Sequence, residues 1–339
     1  MKTILIIGAG GFIGGFIARE ALRRGLDTWV GVRESTSRRY LTDPRLHFLT
    51  FDYDNPDAVA RTLETGAPKA GKWDYIIWNL GATKCANFLD FNRINFGYVR
   101  DFTEVLRELK MLPEKFLFMS SLSALGKGDE KGFTPLSSST VPHPDTRYGL
   151  SKIKAETYFD THPDVPWIIF RPTGVYGPHE QDYLMMIKMI DSHLDVSMGF
   201  GRQELTFIYV EDLVNAMFDA LERAPIHKKY IISEPRSYSQ KDFRQMVARE
   251  LGGKWVLPLK LPMWMVYCAS VVAEKWAAWQ LKASTLNRDK YRIMAQRNWT
   301  CDVSDAVRDF GFNPQFPLER GVAETVKAYL EEKKKNAKR

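Results

Sequence analysis

The apolar run Ile4-Leu-Ile-Ile7, broken at once by Gly8-Ala-Gly10-Gly11-Phe-Ile-Gly14-Gly15, leaves little choice about how this chain begins. Four consecutive apolar residues suit a short strand buried on both faces. Phe12, Ile13, Phe16, Ile17 and Leu22 then recur at helical spacing. The glycines therefore stand on a strand-to-helix turn. At such a turn Gly8 permits the tight bend, Gly11 lets backbone approach a pyrophosphate, and Gly14 lets helix and strand pack closely. The helix N-terminus, at Phe12 and Ile13, then faces the phosphates. The alternative is an ordinary strand-turn-helix that binds nothing.

Beyond this turn, apolar strands alternate with amphipathic helices up to about residue 170. The pattern predicts strands over 27–32, 46–50, 73–79, 115–119 and 166–170. Helices are expected over 12–24, 56–64, 88–110, 145–160 and 210–222. Such alternation predicts an α/β protein with a doubly wound parallel sheet and ligands at the carboxyl ends of the strands. Asn79, Gly81, Ser120 and Arg171 fall at those ends. After residue 175 the pattern loosens and prolines become frequent. We therefore expect a nucleotide-binding domain over 1–174 plus 203–224 and a smaller, discontinuous lobe over 175–202 plus 225–330. Residues 331–339 read as a basic, frayed tail.

Tyr148 and Lys152 lie four residues apart and 27 or more positions after Ser121. One helical turn of separation puts the phenol and the ammonium on the same face. A free tyrosine has a pKa near ~10, too high for efficient proton exchange at neutral pH. Lowering it by ~2–3 requires roughly 3–4 kcal/mol, which a close cation in a partly dry site can supply. The same spacing recurs at Tyr329 and Lys333, in a polar setting where no such role is expected.

The order of these features resembles the extended short-chain dehydrogenase/reductase superfamily, which also covers NAD-dependent epimerases and dehydratases. Gly8-x-x-Gly11-Phe-Ile-Gly14, Asn79-Leu-Gly81-Ala82, Asn95-Phe-Gly97, Phe116-Leu-Phe-Met-Ser120-Ser121, Tyr148-x-x-x-Lys152, Arg171-Pro-Thr-Gly-Val-Tyr-Gly177-Pro and Phe207-Ile-Tyr-Val-Glu-Asp212 carry it, over roughly residues 3 to 330. The resemblance implies a Rossmann fold and a Ser-Tyr-Lys site. Tyr148 would be the acid/base, and Ser121 would orient the substrate oxygen, with Ser123 as fallback and Ser120 ending the strand. Lys152 would also hold the nicotinamide ribose, and Asn95 would support the geometry. Leu80, Gly81, Ala82, Pro172 and Val175 would line the cofactor, with Asp52 and Tyr53 at its adenine. It further implies a homodimer through the helices at 88–110 and 145–160.

The residue after the second strand bears on the choice of cofactor. An acid there accepts hydrogen bonds from a ribose 2′-hydroxyl, whereas arginine pairs with a 2′-phosphate. Arg33 stands first, followed by Glu34, Arg38 and Arg39. This resembles NADP-preferring reductases, so NADP(H) is expected, with NAD(H) kept open by Glu34.

Three widely spaced cysteines (Cys85, Cys268, Cys301) argue against a disulfide framework, and neither they nor the six histidines have metal-ligand spacing. No metal is expected. With the first strand starting near residue 3, no leader is expected, and the expected setting is cytoplasmic or peripheral at the inner face of a membrane. The net charge of +7 is concentrated at Lys333-Lys-Lys335 and Lys338-Arg339, without a recognition motif, so no nucleic-acid partner is expected.

Three substrate classes remain. Dehydratases of the superfamily usually carry Asp-Glu just after the catalytic threonine, where this chain has Leu122 and Ser123. Sugar epimerases often carry Arg-Asp before Phe/Tyr-Ile-x-Val-x-Asp, where Leu205 and Thr206 precede Phe207; Arg202 is the candidate substitute. The 3β-hydroxysteroid dehydrogenase and dihydroflavonol reductase groups take bulky apolar ketones or alcohols. Five of the nine tryptophans lie between 255 and 299, around the apolar stretch Met263 to Ala273, which favours that third class. Residues 261–282 read as a core or dimer-contact helix, or alternatively as an interfacial one, with Trp264, Trp276, Trp279, Lys275 and Lys282 at the headgroups. The Met-rich stretch Tyr183 to Ile190 reads as helix packing, or as an adaptable pocket wall. The sequence thus favours interconversion of a ketone and a secondary alcohol on a hydrophobic molecule, with a nucleotide-sugar epimerase and a non-catalytic cofactor sensor as alternatives.

Overall fold

The computed structural model describes residues 1–85, 87–280, 284 and 286–337. Lys282, Lys338 and Arg339 lie outside the described residues. Seven parallel strands form the central sheet: β1 (Thr3–Ile7), β2 (Asp27–Val32), β3 (His47–Thr50), β4 (Tyr75–Trp78), β5 (Lys115–Met119), β6 (Trp167–Pro172) and, later in the chain, β10 (Lys228–Ile232). Their spatial order is β10-β6-β5-β4-β1-β2-β3. The chain winds outward from β1 in one direction and from β4 in the other. The order reverses between β1 and β4, where open sheets of this kind carry their ligand crevice.

The period-2 alternation of each strand divides the core into two layers. Ile4, Ile6, Val30, Ile77 and Leu117 face α1 (Phe12–Arg23) and α7 (Val210–Arg223). Leu5, Ile7, Ile76, Trp78, Phe116 and Phe118 face the other side. There α2 (Pro56–Gly66), α4 (Tyr98–Glu108) and α5 (Arg147–Asp160) cover them. With both faces covered, the strands are apolar throughout, which is why they were legible as continuous runs.

The helix expected over 88–110 is interrupted. α3 (Phe88–Asn92) passes through a π-helical turn, Arg93–Gly97, into α4. The second lobe packs α6 (Gln181–Asp191), α8 (Gln240–Glu250) and α12 (Leu318–Ala337) around Tyr176, Ile187, Phe207, Phe243 and Val322. Two short parallel pairs accompany it: β7 (Gly174–Tyr176) with β9 (Phe207–Tyr209), and β8 (Leu194–Met198) with β11 (Leu257–Leu261). α9 (Met263–Trp279), α10 (Arg288–Ala295) and α11 (Ser304–Phe310) complete the chain.

Three sequence expectations change. β10 falls in the stretch assigned to the smaller lobe beyond 225, yet it hydrogen-bonds to β6 and extends the main sheet. The basic tail is helical to Ala337, and Lys333 and Tyr329 both reach the Asp191 carboxylate, so their spacing serves packing of the C-terminal helix. Residues 263–279 do form a helix, but among its described side chains only Val266 and Ser270 are buried, so it is not a core element.

Candidate active site

The site is assembled at the carboxyl ends of β1, β4 and β5. Gly8 has φ +83°, a region that favours glycine, and a Cβ there would lie 2.7 Å from the Leu80 nitrogen. A Cβ on Gly14 would lie 2.3 Å from the Gly8 carbonyl. Both positions are therefore fixed by close backbone approach within the protein. Gly11 is different: it is exposed, and its Cβ would find nothing nearer than the Gly8 carbonyl oxygen at 3.5 Å. Gly11 is also the N-cap of α1, which has no side-chain cap and no acid in its first turn. The leading amides of α1 are left for an outside anion, and the open cradle at Gly11 gives a pyrophosphate room to reach them. The residues present fit a dinucleotide.

Arg33 and Glu34, at the end of β2, are exposed, and the Arg33 backbone is held in a turn by the Thr36 hydroxyl at 3.0 Å. The Arg38 guanidinium lies 4.4 Å over the Phe48 ring. Asp52 is exposed, but Tyr53 is buried between Phe51 and Tyr98, so its ring offers no open face to an adenine.

Across the crevice, α5 carries Tyr148 and Lys152. Its N-terminus is held from two sides. The Thr146 hydroxyl accepts the Gly149 N–H at 3.0 Å. Asp289 Oδ2, from α10, accepts the N–H groups of Arg147 at 2.9 Å and Tyr148 at 3.3 Å. A Cβ on Gly149 would lie 2.3 Å from the Ser123 carbonyl, so α5 approaches the turn after β5 as closely as backbone allows. That approach sets the Ser121 side chain close enough to the Tyr148 phenol to act on its titration. Ser120 instead gives its hydrogen to buried Glu156 at 2.5 Å.

Lys152 is buried and donates to the Met119 carbonyl at 2.7 Å. Its Nζ lies 5.9 Å from the Tyr148 ring centroid, and a Cβ on Gly81 would come 3.1 Å from it. Burial pushes the ammonium down to about 8, opposed by Glu156 one turn further along α5. The expectation that Lys152 makes the Tyr148 phenol acidic is not met in this geometry. Burial raises the phenol, and the opposing pull comes from the Ser121 hydroxyl rather than the ammonium, which is turned to Met119. At neutral pH Tyr148 is thus a protonated donor.

Asn95 lies in the π-helical turn and is fully buried. Its Oδ1 accepts the Ala82 N–H at 2.7 Å, and its Nδ2 donates to the Ala82 carbonyl at 3.0 Å and to Ser151 Oγ at 2.9 Å. The Ser151 hydroxyl donates in turn to the Tyr148 carbonyl at 2.7 Å. Asn95 thus ties the loop after β4 to the helix that carries Tyr148 and Lys152. Leu80, Gly81 and Ala82 form that loop, while Pro172 ends β6 and Val175 lies in β7 on the second-lobe side.

Sequence reasoning missed Asp289 and Glu156. Glu156 accepts from Arg171 Nη2 at 2.5 Å and Ser120 Oγ at 2.5 Å, all buried. Arg171 therefore stands at a strand end without facing the crevice. An acid one turn after Lys152 on a buried helix stripe was the available signal for Glu156; for Asp289, 141 positions from Tyr148, none was.

The model of the NAD dependent epimerase/dehydratase family matches residues 4–233. The chain is 25% identical over 329 residues to a ceramide reductase of Caulobacter vibrioides, covering 96% of this chain and 94% of that one. It is 22% identical over 227 residues to a UDP-glucose 4-epimerase of Vibrio cholerae, covering 64% of each. In fold it is similar to a dTDP-glucose 4,6-dehydratase of Streptomyces venezuelae solved with NAD, with TM-score 0.78, 18% identity and 98% of each chain covered. A UDP-glucose 4-epimerase of Thermotoga maritima has TM-score 0.77 at 18% identity, over 97% of this chain and 99% of that one. The glycine turn, the reversal between β1 and β4 and the Ser121-Tyr148-Lys152 cluster all lie within the matched span, and the chain belongs to the NAD-dependent epimerase/dehydratase family.

Proposed function

We propose that this protein interconverts a ketone and a secondary alcohol on a hydrophobic, lipid-like substrate, using a nicotinamide coenzyme with NADP(H) preferred. When bound, a nicotinamide coenzyme would supply or accept the hydride at the carbonyl carbon. The Tyr148 hydroxyl would donate the proton to the oxygen, Ser121 would orient that oxygen, and Lys152 would hold the neighbouring ribose. Arg33 is free to pair with a 2′-phosphate.

The observation that carries this reading over sugar-nucleotide chemistry is the state of Leu205 and Thr206. Where an epimerase would place an arginine on the diphosphate, Leu205 pairs with Tyr238 through the backbone. Thr206 is buried, donating to the Trp299 carbonyl at 2.6 Å. The candidate substitute, Arg202, is paired with Glu204 at 2.8 Å and stacked over Phe133. Neither Leu205 nor Thr206 supplies a cation, and the one cation here, Arg202, is already paired with an acid. The near full-length similarity to a ceramide reductase supports the same reading.

The test is coenzyme consumption with a panel of long-chain ketones, set against isomerisation of a UDP-sugar. Net NADPH oxidation that Tyr148→Phe abolishes, with coenzyme binding retained, is expected. Sugar isomerisation without net coenzyme turnover would overturn the assignment.

A further inference from the structure

α9 is largely apolar yet mostly uncovered. Trp255, Trp264, Trp276 and Trp279 are 63–78% exposed. At about 150–250 Å² each when whole, four such side chains alone expose roughly 400–700 Å², at or above the largest apolar patch of an ordinary monomer. β11 presents Leu257 and Leu259 to solvent and leads through Pro262 directly into α9. Within the chain α9 is packed chiefly on α10, where the Tyr267 and Tyr291 rings meet edge-to-face at 5.3 Å. Its 17 residues span about 25 Å, and no helix among the described residues is long and apolar enough to cross a membrane.

The charges on this face have one sign. Glu274 is the single acid between residues 251 and 280. Its carboxylate is already taken, accepting from Arg288 Nε at 3.0 Å and facing Arg147 at 3.9 Å. Lys260 and Lys275 stand exposed beside Leu259 and Trp276. Two copies meeting through this face would bring like charges together, whereas an anionic headgroup layer offers the opposite sign and an interface in which tryptophan is at home.

We propose that the β11–α9 face docks on bilayers carrying anionic headgroups. Docking would set the face at the N-terminus of α5, since Glu274 faces Arg147, the residue before Tyr148. It depends on the face itself and not on which substrate the site turns over.

The experiment is flotation of the full chain with vesicles of phosphatidylcholine alone and of equimolar phosphatidylcholine and phosphatidylglycerol, at low and high salt. Co-flotation is expected with the anionic vesicles, weakened by salt and by Lys260→Gln with Lys275→Gln. The combined Trp264→Ser, Trp276→Ser and Trp279→Ser variant should melt as the parent does and lose partitioning by about tenfold or more. Failure of the parent to float at low salt, or undiminished flotation of the tryptophan variant, would overturn the proposal. So would a dimer in sedimentation velocity that the same variant dissolves, which would assign the face to a second copy.

Discussion

Asp289 holds the amide of Tyr148: its Oδ2 accepts that N–H at 3.3 Å and the Arg147 N–H at 2.9 Å. A carboxylate at a helix N-terminus satisfies orphan donors and meets the positive end of the helix dipole. Here it is supplied from α10, so the second lobe positions the proton donor of the first. Asp289→Ala is expected to cost about 1–2 kcal/mol of stability. It should also lower kcat about tenfold with little change in coenzyme affinity, because a small displacement of the donor is enough. Denaturant melts and steady-state kinetics check both, and an unchanged kcat would remove Asp289 from the positioning of Tyr148.

Lys152 is kept against its own stability. Its folded-state pKa is depressed to about 8 from 10.5, so the penalty is full below about pH 8 and fades as pH rises towards 10.5. In that window the unfolded chain holds the proton that the folded chain has lost, so stability from this group rises with pH. Lys152→Met should therefore melt higher than the parent at pH 7, by about 1–3 kcal/mol, while losing activity. The gap between the two should close between pH 8 and 10.5. A variant less stable at pH 7 would show that the ammonium contributes more to packing than burial takes away.

Gly11 and Gly14 should separate cleanly. Gly14→Ala meets the Gly8 carbonyl at 2.3 Å and is expected to destabilise by about 1–3 kcal/mol. Gly11→Ala makes only an ordinary contact with the Gly8 carbonyl at 3.5 Å, so its cost should be confined to the poorer N-cap, about 1 kcal/mol or less. Its affinity for NADPH should nonetheless drop, because the added methyl occupies the cradle. Calorimetric titration alongside thermal melts distinguishes the two, and full affinity in Gly11→Ala would place the pyrophosphate elsewhere.

Arg33→Ala should raise the KM for NADPH by about ten- to a hundredfold while changing that for NADH far less, as loss of a charge-assisted phosphate contact requires. Equal effects on the two coenzymes would withdraw the NADP preference.

What could be read from the sequence was what the chain encodes locally. β1, the glycine turn and α1 are specified by adjacent residues, and strands covered on both faces announce themselves as apolar runs. Tyr148 and Lys152 were legible because one helical turn joins them. Their electrostatics were not, because burial and the turn of Lys152 towards Met119 are products of the sheet beneath, not of spacing. Asp289 and the Glu156–Arg171 pair are contacts between distant segments, with no local periodicity to betray them. β10 was misassigned since a five-residue strand, Lys228–Ile232, begins with two exposed-type lysines and looks like loop.

The π-helical turn at Arg93–Gly97 works as a vernier between two helical readings. One surplus residue lets α4 keep its apolar side against the sheet while Asn95, just upstream, is rotated inward onto Ala82 and Ser151. Removing one residue of that turn other than Asn95 would let the segment relax to ordinary α-helical bonding and swing Asn95 by about 100°. The chemistry of this protein thus depends on a counting irregularity, so that a deletion which leaves every named functional side chain in the chain would still disconnect them.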